Sequence, residues 1–175
     1  MQQYKLDGLL LTTPQNIRYF TGYDSQFWES PTRPWFVVVP ALGKPIGIVP
    51  EIGESEFKKT WLDDIKTWPS PRPEDEGISI VKSTLEDLKK IHGQIGAEFG
   101  KEMAIRMSVR DLFKLKENLN TNIVDGSDAI WEMRMIKTNA EVERIKHICS
   151  IASDAYYDLP SILNIGDTER EAVNK

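Results

Sequence analysis

Two histidines, one cysteine and no long apolar run set the first limits on what these 175 residues can do. A metal centre needs His, Cys or carboxylate ligands that converge, usually at helical or strand spacing. His92 and His147 each stand without a nearby second histidine, so neither seeds a ligand set. Cys149 has no partner for an internal disulfide, which fits a reducing compartment. Set in an apolar helical face, it reads as a buried, inert thiol rather than a nucleophile. The longest apolar stretch, Trp35 to Val39, is far short of the roughly 20 residues that cross a bilayer, and Met1 to Lys5 lacks the apolar core of a signal peptide. No membrane partner is expected, and the expected location is cytoplasmic. Positive charge is also in deficit, with 22 Lys+Arg against 27 Asp+Glu and a net charge of −5. Without a basic cluster the chain cannot gain affinity by displacing counterions from a phosphate backbone, so nucleic acid is not an expected partner. Gly93, Gly96 and Gly100 are spaced too irregularly for a phosphate-cradling loop. Asp63-Asp64 and Glu74-Asp75-Glu76 are sequence neighbours whose side chains point apart, which suits a solvated surface better than a paired acid and base.

What is present is enough apolar material for a core, at 40% of residues, so global disorder is excluded. Leu9-Leu10-Leu11, between Gly8 and Pro14, has the pattern of a central strand buried on both faces. Trp35 to Val39 and Ile46 to Val49 are β-rich runs joined by a Pro- and Gly-containing link short enough for an antiparallel hairpin. A short helix is expected over Glu51 to Trp61, a strand over Ile65 to Trp68, and a loop from Ser70 to Gly77. Val81, Leu85, Leu88 and Ile91 then keep one helical face, with an end near His92-Gly93. A strand over Ile95 to Phe99, a helix over Ser108 to Leu119 presenting Val109, Leu112, Phe113 and Leu115, and a strand over Thr121 to Val124 complete the pattern. Alternating strands and helices predict an α/β fold, and the early hairpin makes the sheet mixed.

After Asp125-Gly126-Ser127 the pattern changes. Thr138 and Glu141 form a capping box, in which the hydroxyl accepts from a first-turn N–H and the glutamate reaches back. The long helix it opens carries Val142, Ile145, Cys149, Ala152, Tyr156 and Leu159 along a seam that needs a partner surface, with Pro160 marking its expected end. Thr168 and Glu171 form a second box shortly before Lys175. The expected organisation is a complete domain over 1–128, followed over 129–175 by a linker and the truncated start of a second domain.

Two segments together resemble one family. Leu6-Asp7-Gly8-Leu9-Leu10-Leu11 followed by Asn16-Ile17-Arg18-Tyr19-Phe20-Thr21-Gly22 resembles the opening of the creatinase/prolidase N-terminal domain. Met133-Arg134-Met135-Ile136-Lys137-Thr138, with Glu141 and Ile145, resembles that family's linker into its catalytic domain. The Ile95 to Glu98 strand and the Asp125-Gly126-Ser127 turn fall between them in the family's order. The resemblance implies a ribonuclease-H-like α/β domain, a mixed sheet flanked by helices, preceding a "pita-bread" metallohydrolase domain. It further implies two divalent metals, manganese, cobalt or zinc, held by ligands beyond Lys175, with no catalytic or metal-binding residue in this chain. The 175 residues alone are therefore expected to be inactive.

The implied parent is a metal-dependent Xaa-Pro peptidase, an aminopeptidase or dipeptidase. Ser30 to Trp35 is also similar to the creatinase segment in which Arg-Pro-aromatic enters the hairpin, so a creatinase-like amidinohydrolase or a sulfonium-compound lyase stays open, as does a nonenzymatic pita-bread binding protein. The resemblance also implies a homodimer in which each N-terminal domain borders its neighbour's active site. On that reading Trp28, Arg33 and Trp35 are candidates for a wall of the substrate pocket. Arg33, held extended by Pro34, can present a planar fork of donors to a carboxylate, and an indole face can hold an apolar or cationic group. The competing reading makes Arg33 an ordinary surface charge and Trp35 a core residue.

Overall fold

The computed structural model describes residues 1–25, 33–117 and 119–175. After a 3₁₀ turn at Gln2–Tyr4, the order is β1 (Gly8–Leu11), α1 (Pro14–Thr21), β2 (Phe36–Pro40), β3 (Ile46–Pro50), α2 (Glu51–Phe57), β4 (Asp64–Trp68), α3 (Ile78–Asp87), β5 (Gln94–Ala97), α4 (Val109–Glu117) and β6 (Asn122–Asp125). Three more helices follow, α5 (Ser127–Met135), α6 (Asn139–Ile162) and α7 (Glu169–Asn174). The chain divides into two compact units, Met1–Glu132 and Met133–Lys175, so the expected boundary at 128 and the observed division both fall within α5.

The first unit holds a six-stranded mixed sheet in the order β4-β3-β2-β1-β5-β6, the expected mixed α/β architecture. β1, β2 and β3 are antiparallel neighbours, while β1–β5, β5–β6 and β3–β4 pair in parallel. The strict alternation of a pleated strand divides the apolar side chains between two cores. Leu9, Leu11, Val37, Val39 and Val49 face Ile17 of α1, Phe57 of α2 and Ala129 and Ile130 of α5. Leu10, Phe36, Val38, Ile48 and Ile95 face Ile78, Val81 and Leu85 of α3 and Leu115 of α4. β1 is buried along its whole length, as its uninterrupted leucines require.

Several element ends differ from the sequence reading, each for a physical reason. α2 stops at Phe57 because Thr60 turns its amide and hydroxyl back onto the Phe57 carbonyl. α3 stops at Asp87, with Leu88 extended, because the amides of Ile91, His92 and Gly93 are taken by the Asp7 carboxylate at 2.7–3.1 Å instead of continuing the helix. β5 ends at Ala97, and α4 buries only Leu115 while Val109 and Phe113 stay about 60% exposed. α5 was not anticipated.

In the second unit both capping boxes form as read. α6 continues through Pro160 to Ile162, since a proline in a last turn costs only one hydrogen bond near a frayed end. No residue of α6 is buried, and Cys149, expected as a buried thiol, is exposed.

Candidate functional site

The strand registers bring six chain segments to one edge of the sheet. Leu11 lies opposite Val37, Pro50 opposite Trp68 and Ala97 opposite both Leu10 and Asp125. The carboxyl ends of β1, β3, β4, β5 and β6 therefore share an edge with the start of β2. In open α/β sheets this is the edge where ligands bind, because loops there can vary without disturbing the ladder.

Arg33 and Trp35 enter β2 at this edge, and the structure treats them differently. Arg33 is half-buried, while Trp35 is only 4% exposed. Its indole stacks on Tyr23 at 5.3 Å and lies near Phe57 at 6.2 Å between ring centroids. Gly53 of α2 makes room for it, since a Cβ there would sit 2.1 Å from the indole Cη2. Trp35 thus anchors the strand that carries Arg33. Trp28 lies outside the described residues.

Sequence reasoning overlooked Glu76. Its carboxylate accepts from the Trp68 indole N–H at 2.8 Å, the Ser70 hydroxyl at 2.9 Å and the Arg72 amide at 2.6 Å. Burial works against its ionisation, but the Trp68, Arg72 and Ser70 bonds and the Arg33 charge together hold its pKa below the usual carboxylate range. The fixed anion thus sits just beyond β4, held to Trp68 at that strand's carboxyl end. The only sequence sign of this was Glu76 in an acidic loop, indistinguishable there from a solvated charge.

The residues that carried the family resemblance turn out to be anchors of the fold. Asp7 is 2% exposed, and burial opposes its charge, yet the amides of Ile91, His92, Gly93 and Gln94 lower its pKa. Asn16 donates to buried Glu98, Thr21 donates to the Ile17 carbonyl, and Gly22 closes α1 at φ 75° with its amide on the Arg18 carbonyl. That left-handed closure suits glycine because no Cβ meets the backbone. Among the described residues no three His, Cys, Asp or Glu side chains converge on a point that could hold a metal. No helix is long and apolar enough to cross a membrane among the described residues.

Comparison with known proteins agrees with this architecture. An Xaa-Pro dipeptidase of Pyrococcus furiosus is 27% identical over 176 residues, covering 100% of this chain and 44% of the relative. An uncharacterized peptidase of Staphylococcus haemolyticus is 26% identical over 178 residues, covering 99% and 45%. The chain thus spans less than half the length of these relatives. Among solved structures, a prolidase from Thermococcus sibiricus superposes with a TM-score of 0.73 at 20% identity, over 99% of this chain and 44% of that one. The creatinase/prolidase N-terminal domain of a Streptococcus pyogenes X-Pro dipeptidase gives 0.57 at 16% identity, over 75% and 90%. A model of the creatinase/prolidase N-terminal domain matches residues 1–136, and the chain belongs to that family.

Proposed function

We propose that this chain is the N-terminal, dimerising and pocket-bordering domain of a metal-dependent Xaa-Pro peptidase. The observation that carries the reading is the match to the Pyrococcus furiosus Xaa-Pro dipeptidase along the full length of the chain. The peptidase and prolidase names of the relatives favour a peptide over a creatinase-like or sulfonium substrate. Since the described residues offer no metal ligand set, the role proposed is recognition and assembly, with bond cleavage and its metal pair assigned to the family's catalytic domain.

Arg33 is the recognition residue in this reading. An Xaa-Pro dipeptide ends in a free carboxylate, and a guanidinium fork binds a carboxylate through two parallel N–H···O bonds. Pro34 fixes the backbone after it, and Trp35 anchors that backbone in the core. The test is kinetic, in the whole enzyme that carries this domain. Arg33→Lys keeps the charge but loses the fork, so kcat/KM for an Xaa-Pro dipeptide should fall about tenfold, roughly 1.4 kcal/mol, with an unchanged melting temperature. Unchanged kinetics would return Arg33 to the solvated surface.

A further inference from the structure

The sheet reverses its winding between β1 and β5. These strands are parallel neighbours, but the chain leaves β1 through α1 toward β2 on one side and leaves β5 through α4 toward β6 on the other. α1 packs on the Leu9–Leu11 face through Ile17, and α4 packs on the Leu10 face through Leu115. Two parallel strands whose connections part in this way leave a crevice beyond their carboxyl ends, and open α/β sheets take ligands there.

Here the crevice is filled from within. Glu98, the residue after β5, is 0% exposed, and its carboxylate receives five hydrogen bonds from the β1–α1 turn and the first turn of α1. Oε2 accepts from the Thr12 amide at 2.6 Å, the Thr12 hydroxyl at 2.6 Å and the Thr13 amide at 3.0 Å. Oε1 accepts from the Thr13 hydroxyl and from Asn16 Nδ2, each at 2.5 Å. The Thr12 hydroxyl oxygen is itself engaged by the Arg106 amide at 2.9 Å, so its proton is free to point at Glu98. All five donors are neutral groups within the five residues Thr12 to Asn16, aimed at one anion. A carboxylate has about four lone-pair positions, so this set saturates it, as a purpose-built anion site would.

We infer that the β1–β5 crevice is an anion site whose resident ligand is the chain's own Glu98 carboxylate. While Glu98 is in place the crevice is closed to outside ligands. Once its side chain is removed, the same donors accept a small carboxylate. This inference does not depend on the peptidase reading. It also gives the Asn16 motif a physical role, since Asn16 and the two threonines hang α1 on Glu98 across more than 80 residues of sequence.

The test is thermal melting of the 175-residue chain as wild type, Glu98→Ala and Glu98→Gln, in acetate or in chloride of equal ionic strength. Acetate is the fragment that Glu98→Ala deletes. Glu98→Ala leaves five buried donors unanswered and should melt on the order of 10 °C lower in chloride. Acetate at about ten times its dissociation constant should then raise that variant by roughly 4 °C while leaving wild type unmoved. Glu98→Gln keeps the volume but turns an N–H₂ toward donors, so it should also melt low and should not respond to acetate. An equal acetate response in all three proteins, or none in Glu98→Ala, overturns the anion site. If Glu98→Ala does not melt cooperatively in chloride, the readout becomes whether acetate restores a cooperative melt, and its failure to do so overturns the site equally. A Glu98→Gln variant as stable as wild type overturns it whatever Glu98→Ala does.

Discussion

Helices α1 and α2 begin at Pro14 and Glu51 with no side chain closing their first turns, and α3 begins at Ile78 with only Asp75 reaching back to the Ser79 amide, whereas α6 and α7 open on complete capping boxes at Thr138 and Thr168. Burial runs the other way. Each of the first three buries at least two residues, and α6 and α7 bury none. A short isolated helix is marginal in water, so it needs either a local cap or a packed face. In Met1–Glu132 the packed face serves, and beside local bonds from Asp75 at α3 and Ser108 at α4, side chains distant in sequence finish other ends: Glu98 holds the turn before α1, and Asp7 takes the amides beyond α3. In Met133–Lys175 the signals are local, with Glu141 three residues from Thr138 and Glu171 three from Thr168.

The sharpest way to break this contrast uses α5, which lies across the division between the two units. If packing secures the helices of the first unit, then Ala129 and Ile130, at 5% and 0% exposure, belong to its core. A chain ended after residue 128 should melt about 10 °C below one ended after 136, because losing a buried Ile-sized side chain costs roughly 3 kcal/mol. Equal melting of the two chains in a calorimetric scan would show that α5 adds nothing to that core.

The same contrast explains which features could be read from the sequence. Leu9 to Leu11 was legible as a central strand because only burial on both faces suits an unbroken apolar run. The Phe36–Pro40 and Ile46–Pro50 hairpin and both capping boxes were legible because their determinants are a few residues apart. The end of α3 was not, since Ile91 would continue the apolar face and only Asp7, 84 residues away, stops it. α5 was missed because it buries only Ser127, Ala129 and Ile130, too brief a run for periodicity. Glu76 and Glu98 were not legible, because a carboxylate's donors arrive only with the fold. Gly53 tests this directly. Replacing a glycine inside a helix by alanine ordinarily stabilises by about 0.5–1 kcal/mol. Here the new Cβ would lie 2.1 Å from the Trp35 indole, and overpacking of that kind costs about 1–3 kcal/mol. Gly53→Ala should therefore lower the melting temperature by on the order of 4 °C and shift the tryptophan emission. A higher melting temperature would mean that local propensity outweighs packing even in the first unit.

The smallest effect is expected where the signal is local. Thr138 accepts from the Glu141 amide at 3.3 Å, while Glu141 accepts from the Thr138 amide and hydroxyl at 2.7 Å. Thr138→Ala removes the hydroxyl from both exchanges, a loss of about 1 kcal/mol for an N-cap. No buried contact around α6 offsets or amplifies it, because no residue of that helix is buried. Amide exchange in the first turns of α6, at Val142 and Glu143, should quicken about fivefold, the factor that corresponds to 1 kcal/mol, with the effect fading toward Ile162. Amides of β1 and β5, held by the sheet ladder, should exchange as before. An effect as large at Leu10 or Ile95 as at Val142 would erase the contrast, because a change confined to a local cap would then be felt in the packed sheet.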